Sequence, residues 1–232
     1  RSWAACTSRV IGVPGEWASR FGILEVDGKD KITKFIEKPK KPLSNLASMG
    51  IYCFTYKELR KALIADKKDP NSENDFGKNI IPNLLNEGKK LMAYRFKGYW
   101  RDVGTLSSLH EANLELLPSN RSADTIRFNE FPIVYSEDTH SMPQFFGKHA
   151  IVRNSLINQG AKIYGTVEQS VISNEVIISD DAIVKRSVIM PGVVIGKGAE
   201  VYNTILGPDT QIKDGEIINK DSNEVVLLDY ER

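Results

Sequence analysis

Aliphatic residues recur at every sixth position over the last third of this chain, and that spacing excludes most folds. Ile151, Ile157 and Ile163 lie six apart, and after one eight-residue step so do Val171, Ile177, Ile183, Ile189, Ile195 and Val201. Leu206, Ile212 and Ile218 resume the spacing after a one-residue deletion. An α-helix returns to one face roughly every 3.6 residues and a strand on alternate residues, so neither holds a period of six on one side. A parallel β-helix does: each hexapeptide forms one short side of a coil, and its aliphatic residue stacks on those of the coils above and below. Gly160, Gly165, Gly192, Gly196, Gly198, Gly207 and Gly215 fall between the aliphatic positions, where coil corners tolerate positive φ. The spacing therefore predicts a solenoid with these twelve aliphatics pointing inward.

The first half obeys a different rule. Phe21–Val26 and Lys31–Glu37 read as strands joined by an Asp27-Gly28 turn, a strong hairpin signal. Ser48–Phe54 and Leu91–Phe96 read as further strands, while Lys57–Ala65, Asn79–Leu85 and Thr105–Leu117 carry helical spacing. Thr105 or Ser107 is a suitable N-cap for the last of these. Mixed elements of this kind predict an α/β domain over residues 1–117. Pro118, Pro132 and Pro143 interrupt a stretch with no helical period, read as a crossing segment over residues 118–145 with one strand at Phe131–Tyr135. The β-helix then occupies residues 146–232.

Composition narrows the class of function. Thirty-one basic and 30 acidic residues leave a net charge of +1, which gives no argument for a nucleic-acid or membrane-surface partner. No apolar run approaches the ~18 residues of a membrane-spanning helix. Two cysteines, Cys6 and Cys53, are too few for a disulfide framework and read as reduced, semi-buried residues of a cytoplasmic protein.

Four stretches carry residues suited to chemistry. In FIEKPKKP, Glu37 and Lys38 end a strand just before Pro39, which keeps Lys38 out of the right-handed helical region. Ligand sites of α/β domains lie at such strand exits. A lysine there can hold a phosphate and a neighbouring glutamate can accept sugar hydroxyls. On composition alone, the same run reads as a solvated cluster of Lys34, Lys38, Lys40 and Lys41. In SNLASMGIY, Ser48 stands at a strand start and Gly50 permits close approach to the backbone, although a turn leading into a core strand explains both. In NDFGKNIIP, Asp75 precedes a helix start and suits a capping or docking role. In YWRDVGT, Asp102 reads either as an anion near the following helix start or as one carboxylate of a Mg²⁺ site, since Mg²⁺ is often held by one or two carboxylates plus substrate phosphates. Taken alone, the helix-start reading is the simpler.

Together these motifs resemble a known family. RFGILEVD, ITKFIEKPKKPLSNLASMGIY, DFGKNIIP and GYWRDVGTLSSLHEANLELL stand in the order found in bacterial glucose-1-phosphate adenylyltransferases, or ADP-glucose pyrophosphorylases, and the hexapeptide solenoid also resembles theirs. The resemblance implies a Rossmann-like nucleotidyltransferase domain, here partial, followed by a left-handed β-helix. It implies synthesis of ADP-glucose and diphosphate from ATP and glucose 1-phosphate, for glycogen or starch, with Mg²⁺. It assigns the sugar phosphate to Lys38, glucose hydroxyls to Glu37 and Ser48, close approach to the sugar to Gly22, and the metal to Asp102. It further implies a homotetramer, or a hetero-oligomer with a related subunit. The family's GGGxGxRL-type nucleotide loop is not present in these 232 residues. The expectation is therefore a C-terminal portion, holding half a site and inactive alone. Three other readings compete: a non-catalytic assembly or regulatory subunit, a pyrophosphorylase for another nucleotide, and a hexapeptide acyltransferase using His140 or His149.

Overall fold

The computed structural model describes residues 4–117, 119 and 139–229. The expected strand at Phe131–Tyr135 lies outside them. The chain forms two compact units, Arg1–Lys97 and Gly98–Arg232. Residues 98–117, which the sequence places with the α/β domain, thus belong to the unit that contains the solenoid.

Unit one is built on a mixed five-stranded sheet. Its strands are β1 (Cys6–Gly12), β2 (Gly22–Val26), β3 (Ile32–Glu37), β4 (Leu46–Phe54) and β5 (Leu91–Arg95), in the order β3-β2-β4-β1-β5. The predicted hairpin is present: β2 and β3 pair antiparallel with Gly22 opposite Glu37. The Asp27 side chain secures its turn by accepting from the amides of Lys29 (2.8 Å) and Lys31 (2.9 Å). Helix α1 (Tyr56–Lys68) follows β4, and α2 (Ile81–Asn86) continues from a π-helical turn at Phe76–Ile80. Cys6, Val10, Leu24, Ile32, Phe35, Ile80, Ile81, Leu84 and Leu91 close the core. Both cysteines are free, with Cys6 buried and Cys53 exposed rather than both semi-buried.

The second unit begins with Gly98 and helix α3 (Leu106–Leu114), and its bulk is a parallel β-helix of three five-stranded sheets. The coil is shorter than three hexapeptides. Ile178 pairs with Ile195, Val184 with Val201 and Val188 with Ile205, each seventeen residues along. Two sides of these coils hold six residues and the third holds five; the coil before them advances only fifteen, from Val152 to Val167, Ile157 to Ile172 and Ile163 to Ile178. This corrects the expected inward set. Ile163, Ile189, Ile195, Val201, Leu206 and Ile212 are buried as expected, but Val167, Ile172, Ile178 and Val184 form the core where the period of six selected Val171, Ile177 and Ile183. Ile151 is exposed, and Val152 packs against the core in its place. Most strands carry two adjacent aliphatics, so a strict period of six can follow the wrong member of each pair until a five-residue side resets it.

The five-residue side has its own device. Its corner residues Asn154, Gln169, Arg186 and Asn203 all take left-handed backbone, at φ 43°, 48°, 47° and 43°. Beside them runs a column of hydroxyls, Ser155, Ser170, Ser187 and Thr204, the last three fully buried. Ser170, Ser187 and Thr204 each donate to the carbonyl two residues back, at 2.7–2.8 Å. The Ser155, Ser170 and Ser187 hydroxyls also accept from the amides of their counterparts on the next coil, Ser170 at 3.1 Å, Ser187 at 3.1 Å and Thr204 at 3.2 Å. Corner amides that a shorter side would leave unpaired are satisfied in this way. Among the described residues, no helix is long and apolar enough to cross a membrane.

Candidate functional site

In unit one the end of β3 is crowded around a single acid. Glu37 is wedged between two glycines. A Cβ on Gly22 would lie 2.7 Å from Glu37 Oε2 and 2.6 Å from Phe35 Cζ, and a Cβ on Gly77 would collide with the same carboxylate. Only glycine at both positions lets the acid reach this depth. Asp75 stands at the head of the π-helical turn, where its carboxylate accepts from the Lys78 amide at 2.8 Å. Its negative charge also bears on Glu37. Burial first, and the Asp75 charge second, push the Glu37 carboxyl above its ordinary range, against the pull of Lys38 and Lys78. Acids held this way are characteristic of ligand sites.

Lys38 follows directly. It is exposed and adopts φ 45°, and its amide donates to the Phe21 carbonyl at 3.1 Å. Pro39 excludes the right-handed helical region, as expected, but the chain takes left-handed rather than extended backbone. That conformation costs a non-glycine residue about 1 kcal/mol and fixes where the lysine leaves the strand.

A third wall comes from β4. Ser48 is buried, with its hydroxyl 3.1 Å from the Tyr52 hydroxyl and 3.4 Å from that of Ser8. The Tyr52 ring stacks on Phe76 at 5.8 Å between centroids and 18° between planes. Burial raises the Tyr52 phenol, and Glu37 and Asp75 add to that rise. Unit one therefore gathers Gly22, Glu37, Lys38 and Ser48, all singled out from sequence, near Asp75, whose expected cap is also found. It adds Gly77, Tyr52 and Phe76, which were missed. The clue to Gly77 was the glycine of DFG; nothing in the sequence marks the Tyr52–Phe76 stack.

Asp102 belongs to unit two. It does not cap α3. Thr105 does, in a reciprocal capping box: Thr105 Oγ1 accepts from the Ser108 amide at 3.2 Å, and Ser108 Oγ accepts from the Thr105 amide at 3.0 Å. Asp102 lies half-buried three residues earlier, on a loop clamped by its neighbours. The Tyr99 hydroxyl and Arg101 Nε both donate to Glu115 Oε2, each at 2.9 Å. Burial and Glu115 hold the Tyr99 phenol up at about 12. The described residues contain no group of three or more His, Cys, Asp or Glu side chains placed to hold a metal. His140 and His149 are exposed.

A mixed sheet with an acid and a lysine at a strand exit, joined in sequence to a hexapeptide solenoid, defines a nucleotidyltransferase-type α/β unit with a β-helix. Sequence comparison agrees. Residues 2–119 match the nucleotidyl transferase family, and residues 142–226 match the GlmU-like C-terminal hexapeptide family. The chain belongs to the nucleotidyl transferase family. Proteins named glucose-1-phosphate adenylyltransferase from Bacillus cytotoxicus, Bacillus thuringiensis and Bacillus anthracis are each 46% identical to it over 222 residues, 94% of this chain. The chain spans 58% of the length of these relatives.

Proposed function

We propose that this chain carries the sugar-phosphate side of a glucose-1-phosphate adenylyltransferase, which joins ATP and glucose 1-phosphate into ADP-glucose and diphosphate in the cytoplasm for glycogen synthesis. The observation that carries this reading is the Glu37 carboxylate, held between two glycines at a strand exit with Lys38 as its immediate neighbour. Glu37 accepts glucose hydroxyls, aided by Ser48, and Gly22 leaves room for the sugar. Lys38, fixed by its left-handed backbone, binds the phosphate as a compact cation. The acid remains hydrogen-bonded to the sugar throughout, so its role is orientation: it aims a phosphate oxygen along one line of attack. Formation of the new bond from that oxygen to the α-phosphorus of ATP breaks the bond to the leaving diphosphate. Lys38 neutralises charge on the attacking phosphate.

Asp102 is the candidate Mg²⁺ ligand. A single loop carboxylate fits an ion that takes the rest of its shell from phosphates and water. Mg²⁺, when bound, supplies charge neutralisation at the reacting phosphates. Assembly as a homotetramer, or with a related subunit, is part of the same proposal and rests on the family resemblance.

Because these residues contain no glycine-rich nucleotide loop, binding tests the reading better than turnover. Saturation-transfer NMR is expected to show glucose 1-phosphate bound in preference to glucose, with protection of the Glu37–Lys38 amides. Equal signals from both sugars would defeat the reading.

A further inference from the structure

Resting on the reading of Asp102 as a metal ligand, we infer that the solenoid positions the Asp102 loop through His110, a residue seated on the corner column of the β-helix.

The loop is tied to α3 on both sides of Asp102. Tyr99 and Arg101 are bound to Glu115, just past the end of the helix, and Thr105 starts the helix through its capping box. Wherever α3 sits, the loop goes with it. α3 in turn is anchored by His110, which is 2% exposed, and by the buried Leu114 and Leu117. His110 Nε2 bonds to the main-chain carbonyl oxygen of Arg186. A carbonyl oxygen can only accept, so Nε2 carries the proton and the ring donates. Arg186 is one of the left-handed corner residues. Its amide is committed to Glu168 on the preceding coil at 3.0 Å, while its carbonyl serves α3. A second tie uses the same column two coils lower: Asn154 Oδ1 accepts from the Ser119 amide at 3.1 Å, and Asn154 Nδ2 donates to Ser119 Oγ. The segment from α3 to residue 119 is thus attached at two points to one row of corner residues. Corner carbonyls on stacked coils are rigid reference points, because each coil is held by the ones above and below. His110 is a positioning residue: it acts on the candidate ligand through the helix rather than by touching substrate or metal.

Hydrogen exchange of the full chain tests this with two variants of similar bulk. His110→Gln keeps a donor at the position of Nε2; His110→Met fills the space and donates nothing. Exchange at the 99–105 amides is expected to rise about tenfold in His110→Met and to stay near wild type in His110→Gln, with the solenoid amides unchanged. Equal exchange at 99–105 in the two variants would overturn the inference. Mn²⁺-induced broadening of the 102–104 amides separates this from the metal reading. Loss of broadening in Asp102→Asn, with weaker Mn²⁺ response in His110→Met than in His110→Gln, supports both. Broadening that survives Asp102→Asn removes the metal reading while the exchange result still decides the positioning role.

Discussion

The two ends of this chain handle backbone strain in opposite ways. In the β-helix, left-handed residues recur at every five-residue side, and each is supported: buried hydroxyls pair the amides, and stacked coils repeat the arrangement. In unit one, left-handed non-glycine residues stand singly at Asp30, Lys38 and Asn74, and Lys38 lies beside an acid crowded by two glycines and raised by the charge of a second acid. Strain that repeats and is satisfied makes a scaffold. Strain that stands beside like charges left together is what a binding site retains, because the ligand supplies the missing compensation.

The contrast is sharpest where the solenoid register was corrected. Ile178→Ala is expected to cost about 2–5 kcal/mol through the cavity it leaves, while the neighbouring Ile177→Ala costs about 1 kcal/mol or less. Urea unfolding of both variants checks this, and equal midpoints would restore the simple period of six. Next in size, Ser187→Ala removes the acceptor of the buried Thr204 amide and is expected to cost about 1–3 kcal/mol in the same measurement.

Two smaller effects depend on pH. Burial lowers the His110 pKa, so the unfolded chain binds the proton more readily than the folded one. Stability is then fully present above the ordinary histidine range and falls as pH drops through it. Thermal melts from pH 8 to pH 5 should show this slope, flattened in His110→Gln. Glu37 behaves in the reverse sense. Its raised pKa means the folded state keeps the proton longer, so stability falls as pH rises through the carboxylate range. Glu37→Gln is therefore expected to raise Tm slightly at neutral pH while abolishing sugar binding. A lower Tm would mean the acid stabilises the fold and that the region is scaffold rather than site.

Much of the plan was legible in the sequence. The Asp27-Gly28 turn and the alternation in Lys31–Glu37 located the β2–β3 hairpin, a stretch rich in apolar and aromatic residues marked β4, Leu91–Phe96 read as the strand that is β5, and helical spacing marked α1 and α3. β1 was not recognised, because CTSRVIG hides its buried positions among Cys6, Ser8 and Val10 rather than large aliphatics. The solenoid was evident, but adjacent aliphatic pairs such as Ile177-Ile178 conceal which member points inward. EKP marked the candidate site, yet the closeness of Gly77 to Glu37 depends on a π-helical turn that has no simple sequence period. The seat of α3 could not be read at all, since the group that receives His110 is a main-chain carbonyl and carries no side-chain signature.

The most direct test of the sugar-phosphate site is titration calorimetry of glucose 1-phosphate against wild type, Lys38→Ala and Lys34→Ala. Measurable binding by wild type and Lys34→Ala, with affinity at least tenfold weaker in Lys38→Ala, is predicted: a charge-assisted contact is worth about 1.5–3 kcal/mol. Equal weakening by both lysine variants would show a diffuse basic surface, and the site at the end of β3 would be refuted.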